Sequence, residues 1–368
     1  MVLNFVSELN AILENYDLGE LVGLELNERG YVNTSFAIET VKDRVRSKYF
    51  LRKYKTGIQP EELAFEHALI DHLSAAGVPP VARLHRTRNG KTFVHDIAQE
   101  GDQTGAYYAI FDFLPGEDRY TWVSPHCTQA EVRNAAIVLA QFHQAVSRFS
   151  PQGKRAEVGI LDLIPVISNN LDACLRKNRN TVFDAHLSDH HDLIRVSTVD
   201  ILEYLSHPQF SRMVQIVVHC DFHPGNLKFH GNKVCGLFDF DWSKVDFRCF
   251  DVALALWYFF VTWEEPQDGV MRLEEVESFL IKYQGALRDD RSIGPLSNVE
   301  LRALPNMIQA ANLYVLNWTI LDYSQKEVDP SEYLVYLRHG VQFIRWINEP
   351  ENHVRLEELV QSLNERKD

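Results

Sequence analysis

The stretch from Val217 to Trp242, VVHCDFHPGNLKFHGNKVCGLFDFDW, constrains this chain more than any other. It is a short β island inside a long, otherwise helical pattern, and its two apolar runs, VV and VCGLF, both run into acidic residues. IVVHCDFHPGN reads as a strand entering a Pro-Gly loop. LKFHGNKVCGLF reads as a hairpin that turns at His230–Lys233. That fold-back predicts Asp221, Asn226 and Asp239 at one end of a small sheet. An aspartate beside a turn is ordinarily a cap or an Asx-turn. The pattern H-x-D-x-x-x-x-N, followed 13 residues later by an aspartate ending an apolar strand, asks for more than capping.

Aspartate, asparagine and aspartate are all oxygen donors. Hard divalent ions such as Mg²⁺ prefer oxygen and take few protein ligands, because they retain waters and bind phosphate oxygens. Phosphoryl transfer needs such metals, plus a carboxylate that aligns the attacking hydroxyl and accepts its proton. The spacing therefore assigns Asp221 as base and Asn226 and Asp239 as metal ligands, with His219 bracing the loop. Asp241 follows Asp239 by two, so on a strand both would face the same side. It reads equally as a second metal or substrate carboxylate or as a loop cap.

Around this island the chain divides in two. Leu3, Val6, Leu9, Ile12 and Leu13 give a helical period over residues 3–16. Residues 21–54 change to a meander of about three strands, turning at Asn27–Gly30 and near Lys42–Asp43. PEELAFEHALIDHLSAAG then predicts a helix, with Pro60 in the first turn, Leu63, Phe65, Leu69, Ile70 and Leu73 on one face, and Gly77 as its stop. Further strands follow, up to YYAIFDFLPGE. Helices are expected at 128–148, 160–176, 186–205, 250–264, 271–286, 298–322 and 330–347. The fold class is α+β: a β-rich N-terminal lobe with one helix (1–115) and a mostly helical C-terminal lobe (116–368).

Composition excludes some partners. With 37 basic and 51 acidic side chains the net charge is -14, which disfavours nucleic acid and anionic membrane surfaces. The five cysteines form no C-x-x-C pair, as in a reduced intracellular protein. The N-terminus lacks a basic n-region followed by an apolar stretch, and VALALWYFFVTW is too short to span a bilayer. A cytoplasmic chain is expected.

HCDFHPGN and FDFDW resemble the catalytic loop and metal-binding strand of the aminoglycoside phosphotransferase and choline kinase family, small-molecule kinases related in fold to protein kinases. The resemblance covers most of the chain. GYVNTSFAI looks like the family's nucleotide-covering loop, which implies that the backbone from Asn33 through Thr34 and Ser35 to Phe36 covers the phosphates. YFLRKY looks like the strand carrying the phosphate-pairing lysine, and FEHALIDHLSAAG like the helix whose glutamate, here Glu66, pairs with it. YYAIFDFLPGE resembles the hinge, and FRCFDVALA the closing R-x-x-D-x-A motif. The lysine position falls on Arg52, with Lys53 pointing to the opposite face. Arginine can hold phosphate bidentately, and either side chain could pair with Glu66. Cys220 stands where glycine is frequent.

The resemblance implies a two-lobed protein-kinase-like fold, ATP as phosphoryl donor with Mg²⁺, and a small hydroxylated acceptor. An amino alcohol such as homoserine or choline, or an amino sugar, fits, and the homoserine-kinase-like branch is the most similar. The alternative is a pseudokinase that binds nucleotide or a partner without turnover. No A-P-E motif follows Asp239, as a protein kinase would require. His219 and His223 have the spacing of an H-E-x-x-H zinc site, but Pro224–Gly225 breaks the helix and the glutamate is absent. His190–His191 reads as a solvated face. Trp242, Trp257, Trp263 and Trp318 read as core, with a cation-binding pocket as the sharper alternative.

Overall fold

A computed structural model of the chain describes residues 2–27, 33–96 and 105–365. All but Asn27 of the expected turn at Asn27–Gly30, and positions 30–32 of the nucleotide-covering loop, lie outside the described residues.

The chain forms two compact units. The first comprises Met1–Gly116 with Ser150–Ala156 and Cys235–Phe238. It begins with helix α1 (Val2–Leu13) and strands β1 (Glu20–Asn27), β2 (Thr34–Lys42) and β3 (Val45–Lys53). Asp43 and Arg44, both left-handed (φ 52° and 66°), form the two-residue turn between β2 and β3, where Lys42 pairs with Val45. Positive φ at both turn residues matches the right-handed twist of the strands. With β4 (Val94–Asp96) and β5 (Ala106–Asp112), the strands make one antiparallel sheet in the order β1-β2-β3-β5-β4.

Alternation divides the residues of this sheet between its faces. Leu9, Ile12 and Leu13 of α1 pack against Phe36, Ile38, Leu51, Tyr108 and Ile110 on one face. Arg52, next to Leu51, is therefore turned to the other, in register with Ser35 of β2 and Ala109 of β5.

Helix α2 (Pro60–Ala76) has the ends its sequence signals. Gln59 and Glu62 form a capping box, Pro60 sits in the first turn, and Gly77 ends the helix at φ 74°. Its buried face includes Leu63, Phe65, Leu69, Ile70 and Leu73, but also Glu62, Glu66 and His67. The segment 150–156 runs close beside it. Lys154 N–H donates to the Glu61 carbonyl at 3.1 Å, and a Cβ on Gly153 would lie 2.1 Å from that same oxygen. Leu237 N–H donates to the Pro80 carbonyl at 2.8 Å, which ties the end of the later hairpin to this unit.

The second unit holds α3 (Gln129–Val146), α4 (Ile160–Lys177), α5 (Val182–Leu205), β6 (Gln215–Val218), a hairpin of β7 (Leu227–His230) and β8 (Lys233–Leu237), β9 (Lys244–Phe247), α6 (Arg248–Phe260), α7 (Leu273–Ala286), α8 (Asn298–Gln325), α9 (Pro330–Asn348) and α10 (Pro350–Glu365). The end of β8 counts with the first unit. Each expected helix is present. Helix α6 stops at Phe260 rather than 264, because Val261 turns extended and bridges to Met271. Helix α10 has only a sparse apolar stripe, and Leu356, Val360 and Leu363 bury it. The long α8 packs against α4, α6, α9 and α10 and forms the spine of this unit.

Candidate active site

In the second unit β6 pairs antiparallel with β9, Val218 opposite Lys244. The chain leaves β6 at His219, and at Cys220 it turns left-handed (φ 59°). A non-glycine residue in that region costs roughly 1–2 kcal/mol, so something must hold it there. Asp251 of α6 does. Its fully buried carboxylate accepts the backbone N–H of His219 at 2.9 Å and of Cys220 at 2.8 Å, and meets His143 Nε2 at 2.9 Å. Burial works to raise the Asp251 pKa. His143, His219 and the backbone N–H outweigh it, and the group lies below the ordinary carboxylate range. His143 in turn meets the Tyr283 hydroxyl through Nδ1 at 2.6 Å, and burial lowers its pKa, so it is a neutral imidazole.

Three residues before Asp251, Arg248 braces the other end of the same motif. Its buried guanidinium grips Glu300 with two bonds of 2.9 and 2.5 Å and donates to the Gly294 carbonyl at 2.7 Å. Glu300 also caps the first turn of α8 through Ser297. R-x-x-D is thus a brace: the arginine fixes α6 against α8, and the aspartate fixes the loop after β6.

That loop presents Asp221. The Asn226 amide nitrogen donates to the Asp221 carbonyl at 2.9 Å and to its Oδ2 at 2.8 Å. Both amide hydrogens are therefore committed, and the amide oxygen is the atom Asn226 can offer to a cation. His223 accepts the Gly225 N–H on Nδ1 at 3.0 Å, which places its proton on Nε2, 3.5 Å from Asp221 Oδ2. Tyr258 of α6 stands close enough to Asp221 for the carboxylate to push its phenol pKa up, with burial the larger cause. Burial pushes the Asp221 pKa up, but His223, His219 and the Asn226 amide more than reverse this, and the carboxylate is ionised at neutral pH.

The structure brings together Asp221 and Asn226. His219 contributes its backbone to the Asp251 anchor, and its ring packs among Phe142, Phe222 and Phe240. Asp239 and Asp241 correct one expectation. Strand β8 ends at Leu237, Asp239 is left-handed (φ 67°), and Asp241 lies in the turn beyond, so strand alternation does not put them on one side. Of the tryptophans, Trp257 is core, its indole N–H donating to Asn312 at 3.1 Å. Trp263 and Trp318 instead flank Trp122, whose ring lies 6.4 Å from that of Tyr258. His190, on α5, is taken up by the His186 carbonyl and Arg345.

In the first unit the ambiguity between Arg52 and Lys53 is resolved. Arg52 Nη1 meets Glu66 Oε1 at 3.2 Å, in a pair whose side chains are 10% and 1% exposed. Tyr54 also donates to Glu66 at 3.3 Å, and Arg155 stands 3.9 Å from its other oxygen. Lys53 points to the α1 face and pairs with Glu8 at 2.8 Å. Asn33 accepts the Lys55 N–H at 2.8 Å. Thr34 and Ser35 are already in β2, Ser35 paired on both sides, so their backbones belong to the sheet ladder rather than to a loop.

A family model described as the phosphotransferase enzyme family matches residues 23–285. The chain belongs to that family. This phosphotransferase is similar to the homoserine kinase of Xanthobacter autotrophicus, 28% identical over 344 residues that cover 90% of this chain and 92% of the relative. It is also similar to the homoserine kinase of Nitrobacter winogradskyi, 28% identical with 90% and 91% covered. Among solved structures, an amicoumacin kinase in complex with AMP-PNP, Ca²⁺ and Ami matches with a TM-score of 0.67 at 16% identity, covering 96% of both chains. A choline kinase from Cryptosporidium parvum matches at 0.59 and 14%, covering 100% and 99%. These likenesses show the kinase-like fold. The phosphotransferase is a small-molecule kinase whose acceptor is an alcohol group.

Sequence reasoning missed three parts of the site. Tyr258 was hidden inside an apolar helix, His143 sits in an unremarkable helical pattern, and His223 was weighed only as a zinc ligand. No local pattern marks the first two, because their roles come from packing between distant segments. Among the described residues no helix is long and apolar enough to cross a membrane.

Proposed function

We propose that this phosphotransferase transfers the γ-phosphoryl group of ATP, with Mg²⁺, to a hydroxyl of a small metabolite of the amino-alcohol or amino-sugar class, with homoserine the leading acceptor. The observation that carries the reading is Asp221: an ionised carboxylate, fixed by Asn226, on a loop whose backbone is clamped by Asp251. A base held this way can orient an acceptor hydroxyl and take its proton as the O–P bond forms.

The donor set suits a hard cation. Asn226 can offer only its oxygen, and Asp239 and Asp241 would add carboxylates. Bound there, Mg²⁺ would neutralise phosphate charge. Arg52, oriented by Glu66, would hold the α/β phosphates, which supports an active enzyme over a pseudokinase lacking the usual lysine. Asn33, Thr34 and Ser35 would bear on the phosphates from the start of β2, where Ser35 lies opposite Arg52. His219 would keep the loop in place. The homoserine kinases among the relatives support homoserine as acceptor.

The test is ADP release with Mg-ATP across homoserine, choline, ethanolamine, hexosamines, methylthioribose and aminoglycosides. Asp221→Asn should lower turnover of any hit by at least about 10³-fold, with nucleotide affinity within a factor of about three. Substantial turnover by the variant would remove Asp221 as the base.

A further inference from the structure

Lys244 is 3% exposed. It opens β9 opposite Val218, the last residue before the His219–Asp221 loop. Among the described residues its ammonium has no ion pair and no side-chain hydrogen bond, and its close contact is the Tyr314 ring, 4.7 Å away. The carboxylate of Asp246, two residues along the strand, is engaged elsewhere: it accepts the N–H of Ile160 at 2.9 Å and of Phe247 at 2.8 Å.

The contrast with the other buried cations is sharp. Arg248 grips Glu300, and Arg52 pairs with Glu66. A buried ammonium without a counter-ion is costly, and a cation–π contact offsets only part of that. Burial, the largest influence, works to lower the Lys244 pKa. Cys220, Tyr314, Asp246 and Glu157 together carry it above the ordinary lysine value, so it stays charged.

A second polar group beside it points the same way. The Tyr314 hydroxyl is buried and has no partner among the described residues. Asp221 and Cys220 both bear on the phenol electrostatically. Two unused donors, one cationic and one neutral, thus stand near the base.

We infer that Lys244 and the Tyr314 hydroxyl receive the carboxylate of the acceptor, so that the substrate is a hydroxy or hydroxyamino acid and not a cationic amino alcohol or amino sugar. An anion there completes the ion pair that Lys244 lacks and takes up the Tyr314 hydrogen. This rests on the phosphotransferase reading above and selects among its acceptors.

The experiment measures kcat/KM with Mg-ATP for three acceptors of one backbone: homoserine, homoserinamide and 3-aminopropan-1-ol. The wild-type protein should prefer homoserine to the two acceptors without a carboxylate by about 100-fold, the scale expected for a desolvated charge pair. Lys244→Met should collapse that ratio to about five or less, chiefly through KM. Lys244→Arg should restore most of it, since a cation remains. Tyr314→Phe, which removes one hydroxyl and keeps the packing, should raise KM for homoserine about fivefold to tenfold. It keeps the test open should Lys244→Met not fold.

A wild-type enzyme that phosphorylates only alcohols without a carboxylate would overturn the inference and leave the phosphotransferase reading intact. So would a folded Lys244→Met protein that keeps the wild-type ratio, or a Tyr314→Phe protein with unchanged KM. Loss of the reading itself would look different: no Mg-ATP binding, and no acceptor-dependent ADP release dependent on Asp221.

Discussion

Replacing Asp251 by asparagine isolates what the buried carboxylate does for the loop after β6. In the native protein Oδ1 accepts the Cys220 N–H, and Oδ2 accepts the His219 N–H while meeting His143 Nε2. Asparagine keeps one oxygen and presents an NH₂ in place of the other. If the NH₂ takes the Oδ2 position, His143 can adapt by moving its proton to Nδ1 and donating to Tyr283. The His219 N–H cannot adapt. If the NH₂ takes the Oδ1 position, the Cys220 N–H is orphaned instead. Either orientation leaves one buried backbone donor unsatisfied, at about 1–3 kcal/mol, and weakens a charge-assisted bond to a neutral one, at about 1 kcal/mol.

The expected loss is therefore about 2–4 kcal/mol, a large part of a typical total of about 5–15 kcal/mol. Because the orphaned donor belongs to the loop that presents Asp221, kcat should fall more than about tenfold while Mg-ATP affinity stays within about twofold. Urea unfolding followed by circular dichroism, with a common m-value, reads the first number, and single-turnover ADP formation reads the second. A variant within 1 kcal/mol of wild type with full kcat would refute the claim that Asp251 holds the loop.

Two other perturbations separate neighbours. Arg52→Ala should raise KM for ATP about tenfold to a hundredfold and leave Glu66 buried beside Tyr54, whereas Lys53→Met, on the α1 face, should move KM by less than about twofold; steady-state ATP titrations decide, and equal effects would undo the assignment of faces. Burial raises the Asp246 carboxyl to about 6, against the opposing influence of Lys244 and its two backbone donors. The folded state then holds a proton the unfolded state has lost between about pH 4 and 6, so Asp246 makes stability fall as pH rises through that window, by about 3 kcal/mol in full. Asp246→Asn should flatten this slope in urea midpoints from pH 4 to 7, and an unchanged slope would remove Asp246 as its source.

Much of this protein is written locally. The 3.6-residue stripes of α3 to α9, the Pro60 and Gly77 ends of α2, and the two-residue turn after β2 are each determined by a few neighbouring side chains, because capping, turn geometry and amphipathic period act over short distances. The spacing of His219, Asp221, Asn226 and Asp239 is legible for the same reason: one loop and one hairpin hold all four. The face of Arg52 could be anticipated from strand alternation alone. That Arg52, and not Lys53, pairs with Glu66 was settled only when α1 covered the opposite face of the sheet.

What tertiary structure alone decided involves partners far apart in sequence. Asp251 and His143 reach the loop from α6 and α3, Tyr258 reaches the neighbourhood of Asp221 from inside an apolar helix, and Lys244 is left beside Tyr314 without an ion pair among the described residues. A sequence pattern records periodicity and spacing, which are properties of one segment. The satisfaction of a buried donor or charge is a property of several segments packed together, and it exists only once they have folded.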